Sequence, residues 1–93
     1  MKQCLKITIS GKLQGVGYRQ FVQQNADSLK IEGTIQNMDD GTVVIHACGS
    51  SENLDKLLDV LYNGPKKAEV TNVAVEPLVL QKDFRGVFRI IGS

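Results

Sequence analysis

Cys4-Leu5-Lys6-Ile7-Thr8-Ile9-Ser10 alternates strictly, with Leu5, Ile7 and Ile9 on one parity and Lys6, Thr8 and Ser10 on the other. Successive side chains of a strand point to opposite faces, so the segment reads as a half-buried strand with one apolar face. Thr42-Val43-Val44-Ile45-His46-Ala47-Cys48 has the same character. An antiparallel register that sets Leu5 against Ala47, Ile7 against Ile45 and Ile9 against Val43 matches the two apolar parities. The same register sets Cys4 opposite Cys48 on the other face, either as a cross-strand disulfide or as two reduced thiols.

Outward from these strands the pattern changes period. After a glycine-bearing stretch at 11–17, Phe21, Val22, Ala26 and Leu29 recur at helical spacing. Residues 31–38 alternate again around Ile35, and Asp40-Gly41 supplies the positive-φ chemistry of a hairpin turn leading into the strand at 42–48. Gly49, Ser50 and Ser51 break that strand and offer an N-cap hydroxyl. Leu54, Leu57, Leu58, Leu61 and Tyr62 then form the stripe of an amphipathic helix that Asn63-Gly64-Pro65 ends. Residues 70–76 read as a fourth strand closed by Pro77, and 84–91 as a short terminal strand interrupted by Gly86. The order β-α-β-β-α-β plus a terminal strand predicts an α+β, ferredoxin-like split βαβ sandwich. Two helices then cover one face of an antiparallel sheet whose centre holds the first and third strands. No repeat or linker interrupts the pattern, and residues 1–93 read as one domain.

Composition limits what such a domain can do. Hydrophobic residues make up 42% of the 93, enough for a core and too much for disorder. A net charge of +1 gives no long-range field to draw in nucleic acid or an anionic membrane. One His and two widely separated Cys cannot build a closed zinc site, and any nucleophilic triad would have to use His46. No apolar run exceeds three residues, so neither a membrane span nor a signal-peptide core is expected. The expectation is a cytoplasmic monomer without metal or cofactor.

The chemistry-bearing segment is Gly11-Lys12-Leu13-Gln14-Gly15-Val16-Gly17-Tyr18-Arg19, joining a strand to a helix N-terminus. Its glycines let backbone N–H groups converge, the helix start adds unpaired donors, and the Arg19 guanidinium can grip a phosphoryl group through two parallel bonds. The alternative is an ordinary glycine-rich turn followed by a surface arginine. It is neither a P-loop nor a dinucleotide fingerprint. Asn37 lies near the end of the second strand, which runs parallel to the first, so it is carried to the same sheet edge as this loop. Its amide either orients a water beside a bound anion or merely shapes the hairpin.

Together these residues carry a resemblance. Residues 11–19 resemble the acylphosphatase signature G-x-V-Q-G-V-x-F-R, Gly33-Thr34-Ile35-Gln36-Asn37-Met38-Asp39-Asp40-Gly41 resembles G-x-V-x-N-x-x-D-G, and Gly64-Pro65-Lys66-Lys67-Ala68-Glu69-Val70 resembles G-P-x-x-A-x-V. The resemblance implies hydrolysis of the carboxyl–phosphate anhydride of a small acyl phosphate. It implies phosphoryl binding by Arg19 and the backbone of Gly15, Val16, Gly17, Tyr18 and Arg19, with water oriented by Asn37. Leu13 and Tyr18 replace the commoner Val and Phe, the latter adding a phenol near the site. Lys30 stands at a usual glycine, so the first helix is expected to lack its positive-φ cap. The rivals are a non-catalytic regulatory module and an RNA-binding module of the same topology. The latter stacks bases on strand aromatics, and residues 4–10 and 42–48 contain none.

Overall fold

The sheet runs β4-β1-β3-β2-β5 in a computed structural model that describes residues 2–15, 17–78 and 83–92. Its elements are β1 (Lys2–Lys12), α1 (Tyr18–Ser28), β2 (Glu32–Asn37), β3 (Val43–Ser50), α2 (Ser51–Asn63), β4 (Glu69–Pro77) and β5 (Phe88–Ile91). β1 and β3 pair antiparallel at the centre in the register expected from parity: Leu5 faces Ala47, Ile7 faces Ile45 and Ile9 faces Val43. β2 is antiparallel to β3, hence parallel to β1. The first four strands form the antiparallel arrangement of a ferredoxin-like sandwich. β5 then adds parallel to β2 and makes the whole sheet mixed.

The core gathers the predicted face. Ile7, Ile9, Ile35, Val43, Ile45 and Ala47 are fully buried under Val22 and Ala26 of α1 and Leu54, Leu57 and Leu61 of α2. On the opposite face Cys4 and Cys48 are Cα partners, 4.1 Å apart, and are joined in a disulfide. Both are buried although neither belongs to the helix-side core.

Two helix ends show how local sequence sets local structure. α2 begins as its serines suggest: Ser50 Oγ accepts from the Asn53 N–H at 3.1 Å, and Glu52 sits in the first turn. α1 ends against expectation, because its positive-φ cap is present and is Lys30 itself, at φ 56°. Lys30 N–H donates to the Asp27 carbonyl at 3.1 Å and Ile31 N–H to the Ala26 carbonyl at 2.9 Å. This paired closure satisfies the last carbonyls of the helix and requires a left-handed residue at position 30. Burial of both Ile31 and Ala26 holds the closure in place.

The terminal strand is shorter than the sequence pattern suggests. Arg85 and Gly86 both take positive φ, and Val87 N–H donates to the Phe84 carbonyl at 3.2 Å, so 84–87 is a turn and pairing starts at Phe88. Gln23 of α1 holds this strand by donating Nε2–H to the Phe88 carbonyl at 3.0 Å. Glu32 fastens the turn before it: one carboxylate oxygen pairs with Lys2, and the other accepts the Gly86 N–H at 2.8 Å.

Candidate active site

β1 outruns its pairing with β3, which ends at Ile9, and continues along β4 to Lys12. The register with β4 shifts between Ser10 and Gly11, and a Cβ at Gly11 would collide with the Glu69 carbonyl oxygen. This bulge bends the last residues of β1 toward the loop that reaches α1. Gly15 and Gly17 both adopt positive φ, 77° and 73°, and no described residue beyond their chain neighbours comes within 4 Å of where a Cβ would stand. The backbone is therefore free to present its N–H groups on an open surface.

Gly17 is also the N-cap of α1, left-handed and without any side-chain cap, and the first turn carries no acidic residue. The first helical bond is Phe21 N–H to the Gly17 carbonyl at 3.0 Å, so the amides before it have no intrahelical acceptor. The second residue of this uncapped N-terminus is a cation, Arg19. A positive charge beside the positive end of a helix dipole is unfavourable by several tenths of a kcal/mol, on the order of 0.3–1. α2 has the stabilising pattern, a serine cap and an acidic first turn; α1 has the pattern that attracts an anion.

A cavity of about 300 Å³ lies over this helix start, lined by Leu13, Gln14, Gly15, Gly17, Tyr18, Arg19, Gln20 and Asn37. Asn37, the last residue of β2, closes it from the neighbouring parallel strand end. The Arg19 side chain is partly buried, and its Nη1 is wholly buried with no hydrogen-bond acceptor among the described residues. A buried guanidinium N–H without an acceptor costs roughly 1–3 kcal/mol or more, which an anion in the cavity would recover.

Gly15, Gly17, Tyr18, Arg19 and Asn37 are thus brought together at one sheet edge, while Val16 lies outside the described residues. The Tyr18 phenol is not a group of the site. Its ring is buried and its hydroxyl donates to the Leu61 carbonyl at 3.1 Å, one of the last-turn carbonyls of α2. Burial raises its pKa and keeps it neutral. His46 faces Lys6 on the outer sheet face, with Thr34 Oγ1 at 3.5 Å from its Nδ1. Gln20 is the lining residue that sequence reading passed over. Its position in the first turn of the helix that begins at the loop was the available signal.

The acylphosphatase family model matches residues 5–90. An acylphosphatase of Thermotoga maritima is 47% identical over 74 residues, 80% of this chain and 82% of the relative. One of Coxiella burnetii is 38% identical over 84 residues, 88% of each chain. The crystal structure of acylphosphatase from Bacillus subtilis superposes with a TM-score of 0.91 at 34% identity, covering 99% of this chain and 100% of that one. The glycine loop, the arginine and the asparagine therefore stand in a chain similar to these proteins along most of its length, and the chain belongs to the acylphosphatase family.

Proposed function

We propose that this protein hydrolyses acyl phosphates, releasing a carboxylate and inorganic phosphate. Arg19 and the backbone N–H groups from Gly15 to Arg19 bind the phosphoryl group, and Asn37 orients the attacking water. The observation that carries this reading is the buried Arg19 Nη1, a donor with no acceptor among the described residues, beside an uncapped helix start. A doubly charged phosphoryl group answers both needs through charge-assisted hydrogen bonds.

The water adds in line, opposite the departing acyl oxygen. Its oxygen forms the new P–O bond as the bond from phosphorus to the acyl oxygen breaks, and the carboxylate leaves with the electron pair. A carboxylate is a stable leaving group and needs no general acid. None of the described residues lining the cavity is an Asp, Glu or His, and in this reading the water's proton passes to a phosphate oxygen. Catalysis then rests on positioning and on electrostatic stabilisation of the phosphoryl oxygens. The reading includes action as a single-domain monomer in the cytoplasm.

The test is a substrate panel of benzoyl phosphate, acetyl phosphate and phenyl phosphate. Turnover of both anhydrides with negligible cleavage of the monoester supports the proposal. Comparable hydrolysis of phenyl phosphate refutes it.

A further inference from the structure

Asn37 stands at the very end of β2, so its position is set by its ladder pair with Val43 and by the connection 38–42. Met38, Asp39, Asp40 and Gly41 are all exposed, so core packing does not hold this connection. Hydrogen bonds do. Met38 N–H donates to the Thr42 carbonyl at 2.8 Å and Gly41 N–H to the Met38 carbonyl at 3.1 Å, carrying the ladder one pair beyond Asn37. The loop that remains, Asp39-Asp40-Gly41, has the three-residue hairpin form that ends on a left-handed residue, with Gly41 at φ 89°.

Inside this turn one atom makes two bonds. Asp40 Oδ1 accepts the Thr42 N–H at 3.0 Å and the Thr42 hydroxyl at 2.6 Å. Thr42 is thereby held on both sides, its carbonyl by Met38 and its donors by Asp40. Asp40 does not line the cavity that contains Arg19; it lines a neighbouring cavity that shares Asn37 with the first. Its carboxylate is thus outside the place where phosphorus would react, yet it closes the turn that presents Asn37.

We propose that Asp40 is a positioning residue for acyl phosphate hydrolysis: by accepting both donors of Thr42 it fixes the strand end that carries Asn37, and so fixes the attacking water. This rests on the reading of Asn37 as the water-orienting group. A misplacement of order 1 Å at a reacting group can cost about a hundredfold in rate, so a loosened turn is expected to lower kcat and leave phosphoryl binding intact.

The test measures benzoyl phosphate hydrolysis by Asp40→Ala, Asp40→Asn and Thr42→Val, and by Asp40→Ala in an Asn37→Ala background. Asp40→Ala is expected to lower kcat roughly tenfold with KM within about twofold. Asp40→Asn keeps an Oδ1 acceptor and is expected to retain at least about half of kcat. In the Asn37→Ala background, Asp40→Ala is expected to add no further loss, as for two residues acting through one step. If Asp40→Ala does not fold, Thr42→Val, which loses only the hydroxyl donor, is expected to show a smaller kcat loss at unchanged KM. A loss of activity in Asn37→Ala with normal kcat in Asp40→Ala and Thr42→Val overturns the positioning role alone. An equal Asp40→Ala loss in the Asn37→Ala background does the same. Full kcat in Asn37→Ala overturns the role of Asn37 and the positioning role with it.

Discussion

Lys30 shows what a single residue can reveal about this chain. Its φ of 56° is a conformation that glycine adopts freely and a residue with a Cβ adopts at a cost of about 1–2 kcal/mol. Lys30→Gly gives back part of that in greater unfolded-chain entropy, leaving an expected stabilisation of about 0.5–1 kcal/mol in urea denaturation, with kcat unchanged because Lys30 is remote from the cavity. The sequence identifies Lys30 as the unusual residue. It does not reveal that the closing bonds to Asp27 and Ala26 would force a lysine into the glycine conformation. The carboxylates carry a second prediction. Lys2, then the Gly86 N–H, hold Glu32 below its ordinary pKa, and the two Thr42 donors do the same for Asp40. The unfolded chain therefore binds protons at a higher pH than the native one, so stability is fully present above the ordinary carboxylate values of 4.5 and 3.8 and falls as pH drops through the native values. Acid titration of the unfolding midpoint should show this slope, and Glu32→Gln should flatten it.

At the scale of elements, the two helices have opposite N-termini. α2 is capped and acidic at its start, whereas α1 is uncapped and begins beside a cation. The helices are coupled through Tyr18, whose hydroxyl reaches the Leu61 carbonyl from the residue next to Arg19. Tyr18→Phe removes this donor and leaves a buried carbonyl short of a partner, for an expected destabilisation of about 1 kcal/mol by chemical denaturation. Its KM should stay within about twofold, since the hydroxyl is engaged by the Leu61 carbonyl rather than by the proposed phosphoryl site. Sequence pattern located both helices and the first four strands because each buries one face at a clear period, as Ile7, Ile9, Val43 and Ile45 do. It read the phenol as a neighbour of the site, because spacing along the chain does not say which way an aromatic at a helix start turns. It also extended the terminal strand over 84–87, where the apolar Phe84 and Val87 hid a turn made by two positive-φ residues.

Across the whole molecule, the cavity end and the cross-linked end of the sheet are separate. The cavity lies where β1 and β2 end, while the Cys4–Cys48 disulfide joins the start of β1 to the end of β3. Seven residues of strand between Cys4 and Gly11 span roughly 20 Å or more. The bridge spans a sequence separation of 44, for which the chain-entropy model gives roughly 4 kcal/mol as an upper figure. Reduction, or Cys4→Ala with Cys48→Ala, is expected to lower stability by roughly 2–4 kcal/mol and to leave KM for benzoyl phosphate unchanged at temperatures where the protein stays folded. The pairing was legible because register follows from core parity; oxidation was not, because it depends on compartment as well as geometry. The convergence of Arg19 and Asn37 was legible for a similar reason, since parallel β1 and β2 must end at one edge. What the sequence did not disclose is that Arg19 Nη1 would be buried without an acceptor among the described residues, which depends on tertiary packing. That atom bears the central claim, and hydrolysis of benzoyl phosphate by Arg19→Ala tests it most directly. The expected result is a loss of kcat/KM of at least about a hundredfold in a variant that remains folded. A folded Arg19→Ala enzyme within about threefold of wild type would show that this guanidinium does not bind the phosphoryl group.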